Sequence, residues 1–336
     1  MALLPCQRTC EPVTGPRLGL PFATSRTLLG GRFHFESDSE ALLDLVETTY
    51  GLLPPQQFLS PVPEMRIELR LLPRRRERVA DEPPPLKVRE ASGLLCGILD
   101  DCNYTVVVTA RRRALIAVSE DMLDHAVHVR QELIEFAVFI LAARCLRLVP
   151  LHAACFGRAG NGLLLLGNSG AGKSMLVLQG LLHGMELVSE DAVFVEPESL
   201  LATGVANYLH LRTDAPHLGD TGPVRNWIEN ARVIRRRSGV RKFEMDLRQG
   251  PGRLASDPLR LHAAVLISDE PAEDRERLLQ PIDAAETAER LELDQAYAST
   301  QPGWRRFVQR FREMDVYRLR RWHQPDATIA TLYRLL

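Results

Sequence analysis

Residues 163–174 read Leu-Leu-Leu-Leu-Gly-Asn-Ser-Gly-Ala-Gly-Lys-Ser, an apolar run that stops at a glycine-rich octet with the spacing G-x-x-x-x-G-K-[ST]. The run suits one buried strand, and the octet leaves the backbone few choices. Gly167 and Gly172 fall where the chain must bend tightly and come close to a ligand, so a side chain would obstruct it. The peptide N–H groups of Gly167, Asn168, Ser169, Gly170, Ala171, Gly172, Lys173 and Ser174 are then expected to turn into one anion-sized hollow, at the N-terminus of the next helix. Lys173, expected to be solvent-accessible in an empty loop, reaches toward β- and γ-phosphates, and the Ser174 hydroxyl is placed for Mg²⁺. Lysine occurs only at positions 87, 173 and 242, so one of three lysines lies inside the motif. An ordinary glycine-rich turn requires neither the lysine nor the spacing.

A chain of 336 residues allows two modest domains or one large one, and a net charge of −1 argues against a dedicated nucleic-acid binder. Met1 to Cys10 lacks the charged start and apolar core of a signal peptide, which leads to an expected cytoplasmic location. The most apolar long segment, Ala137 to Phe156, contains Arg144, Arg147 and Pro150, so no membrane partner is expected. Six cysteines at 6, 10, 96, 102, 145 and 155 show no paired C-x-x-C spacing, which disfavours a disulfide framework or a zinc site.

Periodicity divides the chain into an N-terminal α+β region, residues 1–124, and a second region, residues 125–336. In the first, strands are expected at Arg32–Phe35 and Met65–Leu71, a helix at Glu40–Tyr50 and a Pro-punctuated connection over Leu52–Pro63. Arg74–Pro85 is expected to be an exposed loop, and Leu94–Leu99, Thr105–Thr109 and Ala114–Val118 an antiparallel meander. His125–Leu148 carries apolar residues at helical spacing. Beyond it come an expected strand at Leu151–Phe156, a turn at Gly157–Gly162 and a strand at Leu163–Leu166. The loop helix should follow from Gly172 to about His183, and then one strand or two over Glu186–Val195. Further expectations are a strand at Leu261–Ser268, a helix at Ala284–Ala298, a strand at Asp315–Arg321 and a closing helix at Ala327–Leu335.

The acidic pair Glu190-Asp191 interrupts an apolar run just after the loop helix. Carboxylates are costly to bury without a cation or donors, so the pair belongs at a strand end, where it can face bound phosphates. A solvent-facing hairpin turn is the plainer alternative.

The stretch Leu151-His152-Ala153, the octet fifteen residues after that histidine, and Glu190-Asp191 seventeen and eighteen residues after Lys173 together resemble the catalytic domain of HPr kinase/phosphorylase and its related serine kinases. The resemblance covers residues 148–215 with specific motifs and the rest of the chain to Leu336 more weakly. It implies an α/β P-loop kinase core similar to the nucleotide-binding core of phosphoenolpyruvate carboxykinase, with 125–336 as the ATP-binding catalytic domain. By the same resemblance Glu190 is the base that receives a hydroxyl proton, Asp191 works with Mg²⁺ and phosphate, and His152 sits near the phosphates. The segment Tyr208-Leu209-His210-Leu211-Arg212 resembles the family's Glu-x-Arg-Gly signature. Arg212 matches its arginine, while His210 and Thr213 replace its Glu and Gly. Loss of that Glu removes an implied Mg²⁺ contact and the implied reverse, phosphate-removing activity; Asp214 is a candidate substitute.

Val233–Leu247 combines Arg235–Arg237 with a glycine hinge and Lys242, and reads either as a clamp on nucleotide or as a hairpin with a charged turn. The resulting expectation is an ATP- and Mg²⁺-dependent kinase acting on a hydroxyl, foremost a serine of a peptide or protein. A small-metabolite hydroxyl is the first alternative, and a nucleotide-binding regulator without turnover the second. Lys173, Ser174, Glu190 and Asp191 standing together argue against the last. Self-association into a homo-oligomer is left open.

Overall fold

The structure, a computed structural model, describes residues 19–75, 82–214 and 222–336. The described residues fold as a mixed α/β protein with three sheets.

Seven strands form the first sheet, in the order Phe22–Leu28, Gly31–Ser37, Glu64–Leu72, Arg113–Ser119, Tyr104–Val108, Leu94–Ile98 and Lys87–Ala91. Strand Gly31–Ser37 alternates buried and solvent-facing residues, with Phe33 and Phe35 fully buried, as a half-buried strand must. It runs parallel to Glu64–Leu72, and the helix Glu40–Tyr50 supplies the crossover. The meander over 94–119 has the expected antiparallel order. Part of the expected loop Arg74–Pro85 lies outside the described residues.

One long helical stretch follows, from Ala126 to Cys145, and residues Val129–Ile134 within it are wound as a π-helix. Val129, Leu133, Ile134, Ala137 and Leu141 are buried in the same apolar core as Phe33, Ile67 and Ile116 of the first sheet. By packing, this helix is the lid of the N-terminal sheet.

The second sheet has ten strands and holds the glycine-rich octet. The expected strand Leu151–Phe156 is in fact two, Val149–His152 and Ala154–Arg158. They part at Ala153 because Val149–His152 pairs with Ala192–Val195, whereas Ala154–Arg158 pairs with Asn161–Leu166 and Glu186–Ser189. The turn is tighter than Gly157–Gly162, since only Ala159 and Gly160 have left-handed backbone. Both Asn161–Leu166 and Glu186–Ser189 run antiparallel to the strand between them, so their C-terminal ends meet at one edge of the sheet. The octet and the acidic pair are the next residues of these two strands, and that edge is where α/β sheets place ligands.

Strand Leu259–Pro271 lies parallel to Asn161–Leu166, and Asp315–Arg321 lies parallel to Leu259–Pro271. A third sheet, Tyr208–Arg212, Arg241–Asp246 and Arg232–Arg235, covers the same edge; its last two strands form the hairpin read from Val233–Leu247. No helix among the described residues is long and apolar enough to cross a membrane.

Candidate functional site

The octet links strand Asn161–Leu166 to helix Lys173–Leu182. Gly170 and Gly172 adopt φ of 86° and 102°, a region closed to most side chains, and an added Cβ would meet no protein atom within 4 Å at either. The glycines are therefore demanded by backbone shape, and the space over the loop is open.

Lys173 departs from the expected solvent-accessible lysine. It is 7% exposed, and Nζ donates to the carbonyl oxygens of Gly167 and Asn168 at 2.7 and 3.2 Å. The ammonium takes its acceptors from the loop's own backbone. Burial pushes its pKa down and Lys242 adds to this, while Asp191 and Glu190 oppose it. Lys242 is thus close enough to act on the loop lysine, from the strand that pairs with Arg212.

Glu186–Val195 is two strands, with Glu190-Asp191 between them. The two carboxyls face different surroundings. Glu190 is 7% exposed, and its Oε1 accepts from Ser174 Oγ at 2.8 Å and from the His210 backbone N–H at 3.2 Å. Burial raises its pKa, the charge of Asp191 raises it further, and His210 pulls it back. The Asp191 side chain is 71% exposed and lies 3.5 Å from His152 Nε2. Cross-strand pairing of Ala192 with His152 sets that contact, and the backbone of His152 is clamped by the Gln295 side chain, which accepts from its N–H at 2.8 Å and donates to its carbonyl at 3.2 Å.

Of the expected site residues, Gly167 to Ser174, Glu190, Asp191 and His152 converge. Arg212 makes no hydrogen bond or ion pair with them; its guanidinium is held by Asp214 at 2.7 and 2.8 Å, in solvent. Asp214 is thereby committed to Arg212. Two members of the basic cluster are also committed: Arg236 donates to Gln131 Oε1 at 3.0 Å, and Arg237 binds Glu132 and the carbonyl oxygens of Pro83 and Pro84, fastening the hairpin to the N-terminal region.

A second layer extends from His210 of the signature-like segment to the long helix. His210 Nε2 is 3.3 Å from Glu244 Oε1, and Glu244 also forms a buried ion pair with Arg130 of the π-helical turn. Burial alone would raise the Glu244 pKa, but His210 and Arg130 hold it down at about 2. A connected path therefore runs from Arg130 through Glu244, His210 and Glu190 to Ser174. Glu244 pairs across the strands with His210, a relation visible only once the hairpin register is known.

Two cavities meet at the His152–Asp191 contact. One, of about 180 Å³, is lined by His152, Gly167, Asn168 and Ser169 together with Arg290 and Asp294. The other, of about 200 Å³, is lined by Glu190, Asp191 and His210 together with residues of the N-terminal region and the long helix. A larger cavity of about 300 Å³ lies behind Arg130 and Glu244 and touches neither the octet nor the acidic pair.

Among the described residues no group of three or more His, Cys, Asp or Glu side chains is placed to hold a metal ion by itself. Mg²⁺ in phosphate sites takes one or two carboxylates and completes its shell with phosphate and water oxygens. Ser174 Oγ and Glu190, already in contact, with Asp191 beside them, are hard oxygen donors of that kind. No family model matches the chain, and no curated protein matches it.

Proposed function

We propose that the protein is a Mg²⁺-dependent phosphotransferase that moves the γ-phosphoryl group of ATP onto a hydroxyl, using an HPr-kinase-like P-loop core. The observation that carries this reading is the hydrogen bond from Ser174 to Glu190. It couples the glycine loop to the acidic pair, the arrangement a phosphate-bound cation requires.

In this reading the peptide N–H groups of residues 168–174 and the helix N-terminus hold the phosphates, and Lys173 exchanges its two carbonyl acceptors for phosphate oxygens. Ser174 and Glu190 would hold Mg²⁺, with Asp191 at its margin; the ion supplies neutralisation of phosphate charge. The geometry favours roles opposite to those the family resemblance implies. Glu190, buried against Ser174, serves the metal, while Asp191, exposed between the two cavities, takes the hydroxyl proton, and His152 orients its carboxylate. Positioning and charge do most of the work, as expected for phosphoryl transfer.

Incubation of the purified chain with ATP, Mg²⁺ and candidate alcohols, followed by measurement of ADP and of the phosphorylated acceptor, tests the proposal. Acceptor-dependent ADP formation that is lost without Mg²⁺ is the expected result. Tight ATP binding with no ADP under any acceptor would instead identify a nucleotide-binding regulator.

A further inference from the structure

The cavity beside the acidic pair carries a charge pattern that phosphate chemistry does not need. Its lining holds three carboxyls, Glu135, Glu190 and Asp191, against the one guanidinium of Arg236, which is already donating to Gln131. Glu190 and Asp191 belong to the transfer chemistry; Glu135 does not. Its Oε1 accepts one long hydrogen bond, from Asn207 Nδ2 at 3.4 Å, and the Arg130 guanidinium and His210 ring that act on it are both engaged by Glu244. Burial pushes its carboxyl above the ordinary carboxylate range. Tyr50 lines the same cavity; its Oη is buried with no hydrogen-bond partner among the described residues, and it feels the charge of Glu135. Val138, Phe139 and Phe194 make the rest of the wall apolar. A carboxyl with no ion pair of its own among the described residues and an idle hydroxyl in such a wall are costly unless a ligand uses them.

We infer that this cavity is the acceptor pocket and that it takes a small amino alcohol, whose protonated amine is held by Glu135 and Tyr50 Oη while its hydroxyl meets Asp191. The inference rests on the phosphotransferase reading and names its acceptor class. Size supports it, because about 200 Å³ falls below the roughly 300–1,000 Å³ of drug-sized sites. Charge supports it too. An ammonium gives Glu135 a charge-assisted hydrogen bond, a neutral diol leaves it unpaired, and an anionic acceptor meets three carboxyls. In the transfer, the acceptor oxygen bonds to the γ-phosphorus as the bond from that phosphorus to the β–γ bridging oxygen breaks. The hydroxyl proton passes to Asp191, and ADP leaves with the bonding pair.

The test uses the full chain and three probes: ethanolamine, ethylene glycol of the same size, and a seryl tripeptide with an acetylated N-terminus. Binding is measured by calorimetry without nucleotide, and turnover by ADP and phosphorus NMR of the product. Ethanolamine is expected to bind, and to exceed ethylene glycol in kcat/KM by at least about tenfold, the worth of one charge-assisted contact. Glu135→Gln, nearly isosteric, should abolish that preference through KM while kcat holds, and Tyr50→Phe should fold normally yet raise KM for ethanolamine. Equal use of the two alcohols, phosphorylation of the acetylated peptide in preference to ethanolamine, or a Glu135→Gln variant with unchanged preference would overturn the amine pocket. Ethanolamine binding that depends on Glu135 without any ADP would keep the pocket and sink the transferase reading. ADP formation on another acceptor, with no ethanolamine binding, would do the reverse.

Discussion

The glycine loop is made of atoms that every residue carries, whereas the cavity beyond the acidic pair is made of side chains from separated segments: Tyr50, Glu135, Asn207 and Arg236. The loop's design is local. Its shape follows from eight consecutive residues and from the two strands whose ends meet at the sheet edge. The cavity's design is dispersed, since it exists only when the N-terminal sheet, the long helix and the hairpin pack together. On the proposed reading, the nucleotide side of the site is independent of its surroundings and the acceptor side is a property of the whole fold.

The largest effect should fall on the joint between the two. Arg130→Met leaves Glu244 buried without its ion-pair partner, and removing one member of such a pair costs about 3–5 kcal/mol. Chemical denaturation should show that loss, together with weakened acceptor selectivity. Glu244 provides a pH check. Its pKa is depressed from 4.5 to about 2 in the folded chain, so its contribution is complete above pH 4.5 and lost as pH falls toward 2. Glu244→Gln should flatten the wild-type stability profile over that window.

On the loop side, Lys173→Met should lose roughly 2–4 kcal/mol of transition-state stabilisation, the worth of one preorganised donor, while its melting temperature changes little. A melting temperature as depressed as that of Arg130→Met would mean that the bonds from Lys173 to Gly167 and Asn168 are structural, and the contrast between the two regions would fail.

Glu190 and Asp191 sit at the border. Asp191→Asn should lower transfer by about 10²–10⁴ with an unchanged Mg²⁺ requirement, the signature of a lost base. Glu190→Gln should shift the Mg²⁺ requirement upward. Because the folded-state pKa of Glu190 is raised, its ionised form destabilises the fold above its ordinary pKa of 4.5. Glu190→Gln should therefore melt a few degrees above wild type at pH 8 and equal to it at pH 4. Magnesium profiles of the opposite pattern would restore the roles implied by the family resemblance.

The smallest effect is expected at Arg212. An exposed ion pair with Asp214 contributes little, so Arg212→Ala should leave the melting temperature unchanged and alter kcat/KM by no more than about twofold. A loss of a hundredfold would show that Arg212 leaves Asp214 for the phosphates during turnover.

Legibility in the sequence followed the same division. The helix Glu40–Tyr50 and the meander over 94–119 could be read because periodicity and turn residues are local signals. The octet and the acidic pair could be located at two neighbouring strand ends because each is a run of consecutive residues. Strand Lys87–Ala91, exposed along its whole length, has no alternation to read, and Leu201–Gly204 is too short to show one. Helix Trp304–Phe311 did carry a signal, with Trp304, Phe307 and Phe311 buried at helical spacing, but no expectation covered it. Glu244, Arg130, Glu135 and Gln295 were illegible for a different reason. Each acts through a partner more than 30 residues away, and only the folded register brings them together.

The π-helical turn at Val129–Ile134 accommodates more residues per turn than its flanks, as an inserted amino acid would. Deleting one residue there would let the helix close up as a regular α-helix and rotate one half against the other. Either Val129 and Arg130, or Glu135 and everything after it, would then lose its present bearing. A chain begun at residue 125 would keep the turn but strip away the sheet that fixes its orientation, leaving Leu133, Ala137 and Leu141 facing water. The cavity beside the acidic pair is therefore inseparable from the N-terminal half, and on the proposed reading a gene fragment carrying the glycine loop alone would encode a nucleotide site with no defined acceptor.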